Sequence, residues 1–292
     1  MSRIRDRIEA AGSADLASRL TLLALLLHPV GNASIRFWIL GLAGAGLLIP
    51  NLFRRPLLWG GLAILTGSRV VSDWPLSDNH AFLLSYWCLA IALSWFVEDR
   101  DRFLAILGRW LIALVFAFST LWKLVLAPDF VDGTFFRVTL LVDPRFESFT
   151  RLAGGLSIEQ IESARSAIER HIDGGTLEVV AAAMPSVRFE RLALAITAWT
   201  LAIEFALAVT FGWWRGRGVS RLGDGLLILF CASTYAVATV EGFGWLLISM
   251  GIAQSESGHM RTRIAFLSTF VLILVYREVP WLTWIANGVA RI

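Results

Sequence analysis

The sequence predicts an all-α fold: a polytopic transmembrane helical bundle of roughly eight to nine spans, with one long external loop carrying a surface helix. Three observations predict it. Of the 292 residues, 57% are hydrophobic and only 17% charged, with a mean hydropathy of +0.67; a soluble domain of this length has no interior large enough to hide that much apolar surface. The apolar residues also come in long blocks, most near the ~20 residues needed to cross a hydrocarbon layer of about 30 Å. The period-2 alternation of a membrane β-barrel is missing.

In chain order, residues 1–16 form a basic, amphipathic tail without a small-residue cleavage site, so it reads as a retained cytoplasmic segment. Residues 17–292 read as a single transmembrane domain with an external insertion at 128–188. The candidate spans are 17–30, 33–52, 56–72, 80–97, 103–126, 189–213, 222–239, 242–254 and 264–286. The first and eighth are short, which leaves re-entrant or interfacial placements open for them. Gly41, Gly44 and Gly46 give the second span a face for close helix packing. Within the insertion, Ser157 with Gln160 three residues on is a capping-box start. Ile158, Ile161, Ala164, Ile168 and Ile172 then line one helical face, ended by Gly174 and Gly175. Such a helix packs over the bundle, lies on the membrane or lids a cavity; the first is favoured.

Arginine placement sets the orientation. Arg3, Arg5 and Arg7, then Arg54 and Arg55, Arg100 and Arg102, Arg215, Arg217 and Arg221, and Arg261 and Arg263 all fall on one side of a nine-span chain. That side is cytoplasmic by the positive-inside rule, which makes the expected location the inner (plasma) membrane with the N-terminus in the cytoplasm. The lipid bilayer is the expected partner. No basic patch interleaved with aromatics suggests nucleic acid. Cys88 and Cys231 fall inside apolar segments, so neither a disulfide framework nor metal spacing is expected.

Chemistry is sought among charges at membrane depth, which are rare and often functional. Lys123, about one turn from the outer end of its span, is the only lysine among 26 basic residues. A snorkelling cation accounts for its position, yet arginine serves that purpose everywhere else in the chain. An ammonium loses its proton when desolvated, and a guanidinium effectively does not, so lysine is the residue suited to a general base. His80 begins the fourth span on the same outer side, with Asp78 and Asn79 as capping residues beside it. Glu204, near the middle of its span, either pairs with a basic group or stays neutral and hydrogen-bonds another helix. Glu241 sits at an outer-side helix break, and Asp129 and Asp132 follow Lys123 in the external loop. Lys123, His80, Asp78 and Glu241 thus come from three helical regions and share one predicted side, as an outward-opening site requires.

These residues carry a family resemblance. WKLVLAPDFVDG, with Lys123-Leu124 followed by Asp129-Phe130-Val131-Asp132-Gly133, resembles the lysine segment of the vitamin K-dependent γ-glutamyl carboxylase superfamily, the HTTM (horizontally transferred transmembrane) proteins. DNHAFLLSYW (78–87) is similar to that family's Asn-His segment, and GFGWLLISMG (242–251) more loosely to its late Gly-aromatic helix. The resemblance covers the membrane region, residues 15 to 285. It implies Lys123 as the base and His80 as its support, the two candidate catalytic residues. Asn79, Asp78, Trp122 and Glu241 are then candidate cofactor contacts, and the cofactor implied is a quinol. If the protein is an enzyme, the activity implied is quinol-linked and oxygenase- or carboxylase-like, in a bacterial membrane.

The departures are specific. The carboxylase's lumenal domain has no counterpart here, and CASTYAVATVEG (231–242) stands where a His/Asn stretch is expected, so peptide carboxylation is not implied. A weaker likeness, to the DoxX-like group, meets the obstacle of nine spans against four helices. The alternative reading is a non-catalytic accessory or assembly subunit partnered with another membrane protein. A transporter ranks third, since no inverted repeat is visible.

Overall fold

The computed structural model describes residues 12–75, 79–172, 186–213, 217–238, 240, 242–255 and 260–289. Among them all regular structure is helical: α1 (Ser13–Leu27), α2 (Ala33–Leu48), α3 (Pro56–Ser72), α4 (Asn79–Leu93), α5 (Arg100–Val125), α6 (Thr134–Val142), α7 (Ile158–Ile172), α8 (Val187–Gly212), α9 (Arg217–Val237), α10 (Phe243–Gln254), α11 (Met260–Glu278) and α12 (Trp281–Val289), with short helical turns between. Each of the nine apolar segments is helical over most of its described length. Three of the described helices, Asn79–Phe96, Arg100–Val125 and Val187–Gly212, are long and apolar enough to cross a membrane. The segment expected to cross at 264–286 is not one continuous helix: Met260–Glu278 and Trp281–Gly288 meet at a bend of 56°. Pro280 is the reason, because its ring removes a backbone donor and blocks the preceding turn.

The chain packs as two compact units, the first built from residues 1–115, 207–232 and 240–273, the second from 116–206, 233–239 and 274–292. The centre of the first unit is α10. Every residue from Gly244 to Gln254 is buried, the pattern of a helix apolar on all sides and enclosed by protein. Its glycines make that enclosure possible: a Cβ on Gly251 would lie 2.8 Å from the Phe266 ring of α11 and 3.1 Å from Leu227 of α9. Trp245 donates from Nε1 to the Phe270 carbonyl at 3.1 Å and stacks on the Phe270 ring. Gly46, as its sequence context suggests, lets α2 approach Leu22 and Leu58 (2.9 Å to a hypothetical Cβ), whereas Gly41 and Gly44 face open space.

Arg54, Arg100 and Arg263 of this unit gather around the start of α1. Asp15, in the first turn of α1, accepts from Arg54 (2.6 Å) and Arg100 (2.5 Å). Asp101 accepts from the Ala14 amide at 2.7 Å, and Arg263 donates to the Ser13 hydroxyl at 2.5 Å. Loops that the sequence assigns to one side of the membrane therefore meet around the start of α1. Arg109 makes its own cap, donating to the carbonyls of Thr210, Phe211 and Trp213 at 2.8–2.9 Å, where the end of α8 leaves acceptors without intrahelical donors.

The second unit has a separate core. Phe130, Phe136, Leu140, Leu141, Phe146 and Leu156 pack with Ile161, Ala164 and Ile168 of α7 and Phe189 and Ala193 of α8. Ile161, Ala164 and Ile168 of the apolar face of α7 are thus spent on protein packing, while Ile158 at its start is 39% exposed. Its start is the expected capping box: the Ser157 amide donates to Gln160 Oε1 at 2.9 Å and the Gln160 amide to Ser157 Oγ at 3.3 Å. The glycines expected to end it lie outside the described residues. Ser157→Ala should lower the stability of this unit by about 1 kcal/mol, read as a lower thermal midpoint and faster proteolysis within 157–172.

Two aspartates hold the neighbouring turns. Asp132 accepts from the Thr134 amide at 2.8 Å, and Asp143 accepts from the Arg145 amide at 3.0 Å as well as from its guanidinium. The hydrogen bonds from Thr134 hold the Asp132 carboxyl below its ordinary value. Arg145, through its side chain first and then its amide, does the same for Asp143. A carboxylate depressed on folding stabilises fully above its unfolded pKa, and that stability fades as pH falls through the folded value. Protection of the Thr134 and Arg145 amides should therefore be constant at neutral pH and decline below about pH 4. Asp132→Asn and Asp143→Asn should remove that decline, measured by hydrogen exchange corrected for the intrinsic rate.

Candidate functional site

Lys123 stands two residues before the end of α5, in the second unit. Its Nζ donates to Ser119 Oγ, one turn back, at 3.0 Å and to Glu204 Oε1 of α8. It also lies over the Phe130 ring, 5.0 Å from the centroid. The local sequence explains the arrangement. Ser119 and Lys123 share a face of α5 at i,i+4 spacing. Ala127-Pro128 ends that helix, and the turn Pro128–Val131 carries Phe130 back beneath the ammonium. Gly133 completes the turn with φ +82° and packs so close to α8 that a Cβ would meet Leu194 at 2.9 Å. The loop after Lys123 is thereby fixed against the helix that supplies Glu204.

The pair is mostly withdrawn from solvent, with side-chain exposures of 18% for Lys123 and 8% for Glu204. Two ions at this depth cost several kcal/mol each to desolvate unless paired and hydrogen-bonded. Glu204 is satisfied on one oxygen only: Oε2 is buried and has no hydrogen-bond partner. The Thr120 hydroxyl, at i,i+3 from Lys123 and so on the same face, is likewise buried and without a hydrogen-bond partner. Of the two roles the sequence leaves open for Glu204, pairing with a basic group is the one adopted. An ammonium with two acceptors, an aromatic face and a carboxylate with one open oxygen can bind and exchange protons with a hydroxyl-bearing molecule.

Of the other candidates, Trp122 shares α5 with Lys123, and the rest come from other segments of the chain. His80 and Asn79 open α4 in the first unit, Asn79 exposed and His80 half-buried. The His80 ring packs on Phe243 with centroids 5.1 Å apart. Trp122 is an exposed residue on α5, at 61%. Asp78 and Glu241 lie outside the described residues. Sequence reasoning missed His28, whose ring meets the entry to α10: Gly242 has φ +87°, and a Cβ there would lie 2.6 Å from His28 Cδ2. Two histidines thus flank Gly242-Phe243. His28 opens the short loop between α1 and α2, but nothing in one sequence joins it to a glycine-led helix more than 200 residues away. No group of three metal-ligating side chains is found among the described residues. Neither a family model, nor a curated protein, nor a solved structure matches this chain.

Proposed function

We propose that the protein is a polytopic bacterial inner-membrane protein of eight to nine spans, N-terminus cytoplasmic, similar to the membrane core of the γ-carboxylase superfamily. In this reading it binds an apolar, hydroxyl-bearing molecule of the quinol class, and the Lys123–Glu204 pair is its acid–base centre. The observation that carries the reading is the buried, half-satisfied ion pair formed by the chain's only lysine. Several features support the membrane setting. Three helices have membrane-spanning length, and large apolar side chains such as Phe37, Leu48, Leu57, Ile64, Val71 and Phe118 are exposed where a soluble protein would cover them. Arg54, Arg100 and Arg263, from three of the arginine-bearing segments, gather around the start of α1, as expected of a shared cytoplasmic side.

The test is mass spectrometry of small molecules extracted from the purified protein, wild type beside Lys123→Ala. A stoichiometric quinone or other phenolic lipid in the wild type, depleted in the variant, is the expected result. Bulk phospholipid alone in both samples would remove the ligand reading.

One observation favours a second reading, a non-catalytic accessory subunit. Gly41 and Gly44 on α2 and Gly60 and Gly67 on α3 have open space at their Cβ positions, which suits close packing against helices of another membrane protein. A second polypeptide co-purifying at constant ratio, and lost on Gly60→Leu, is the result this reading requires.

A further inference from the structure

This inference rests on the hydroxyl-bearing ligand proposed above and divides the work within the ion pair. We infer that Glu204 is the group that takes the ligand's proton, while Lys123 is the fixed cation that holds the resulting oxyanion.

The directions around the lysine nitrogen carry the argument. Nζ donates to Ser119 Oγ and to Glu204 Oε1, and its third direction faces the Phe130 ring. The face of an aromatic ring is negative; it attracts an N–H or a cation and repels an amine lone pair. All three directions therefore suit N–H bonds, the ammonium form, which has no lone pair to accept a proton. The open lone pairs in the site belong to Glu204 Oε2, buried and without a hydrogen bond. An acceptor left so is costly, and a ligand hydroxyl donating to it relieves that cost. The Thr120 hydroxyl, also buried and unbonded, offers a second polar contact on the lysine face of α5.

The proton balance follows. The ligand's O–H bond breaks, its proton goes to Glu204 Oε2, and the bonding pair stays on the ligand oxygen beside the Lys123 ammonium. Before the step the site holds one ammonium, one carboxylate and a neutral hydroxyl. After it, the site holds one ammonium, a neutral carboxyl and one oxyanion. The net charge of a poorly solvated site is unchanged, so the transfer avoids the desolvation penalty of an unpaired ion. Lysine acting as base would first have to release a proton that three neighbours hold.

The experiment uses the full chain in nanodiscs and an alkyl-chain nitrophenol as probe, whose phenol and phenolate forms absorb at different wavelengths. Bound probe and bound phenolate are measured separately. The wild type should raise the phenolate fraction over empty nanodiscs, and Lys123→Arg, which keeps a cation, should stay near the wild-type value. Glu204→Gln should lower the fraction about tenfold or more, equivalent to at least one pKa unit for the bound probe, while probe still binds. The reverse pattern, phenolate surviving Glu204→Gln but lost in Lys123→Arg, would make the lysine the base and overturn this assignment, leaving the ligand reading intact. No bound probe on the wild type above empty nanodiscs would overturn both. Should Glu204→Gln fail to fold, the wild type answers alone. Probe binding should produce a protonated-carboxyl C=O band in the infrared difference spectrum, shifted by carbon-13 glutamate, and its absence would overturn the assignment.

Discussion

Lys123→Met should cost about 3–5 kcal/mol of stability, because it leaves the Glu204 carboxylate buried with no cation and the Ser119 hydroxyl without its donor. Charge repair distinguishes this from simple loss of packing. The double variant Lys123→Met/Glu204→Met replaces both ions with apolar chains of similar length, and buried pairs exchanged in this way often lose little stability. Denaturant unfolding in mixed micelles should therefore show a double variant more stable than Lys123→Met alone. Additive losses, with a coupling energy below about 0.5 kcal/mol, would mean that the two groups do not interact. A protein whose function needs the pair would lose that function in both variants, while only the single variant loses its fold margin.

Trp245→Ala should destabilise the first unit by about 3–5 kcal/mol, the range for removing a large aromatic from a core. Trp245 is 1% exposed and lies on the helix that the rest of the unit surrounds. The loss has two parts that a second variant separates. Trp245→Phe keeps a ring against Phe270 but deletes the Nε1 donor to its carbonyl, which should cost about 1–2 kcal/mol. Equal losses in the two variants would show that the hydrogen bond, rather than the volume, dominates.

Much of the helical order was legible because membrane-grade apolar runs are long and are punctuated by polar loops. Ser157-x-x-Gln160 announced its capping box because both partners lie within one turn. Gly46 was readable as a packing position, but Gly41 and Gly44 carry the same signature and face open space, since a small residue permits contact without requiring it. Pro280 was visible too, yet the apolar Trp281, Leu282 and Ile285 beyond it carried the expected span through the break. The site was half legible. Composition isolated Lys123, and depth isolated Glu204, but hydropathy specifies how deep a residue lies and not which helices are neighbours. Their meeting across 81 positions depends on the turn at Phe130 and Gly133, whose closeness to α8 is a property of the fold. The sequence likewise marked α10 as short without revealing that it would be wholly enclosed.

That enclosure has a consequence for synthesis. A twelve-residue helix is too short to be handed to the bilayer as an independent insertion unit, and its neighbours come from distant parts of the chain. The first helix waits for it as well: Ser13 bonds to the carbonyl of Ser255 and accepts from Arg263, partners 242 and 250 positions away. Until the ribosome has passed those residues, the earliest helix lacks the partners that hold its start. The interval is a window for membrane proteases and chaperones, and it makes the last quarter of the chain the checkpoint for the first.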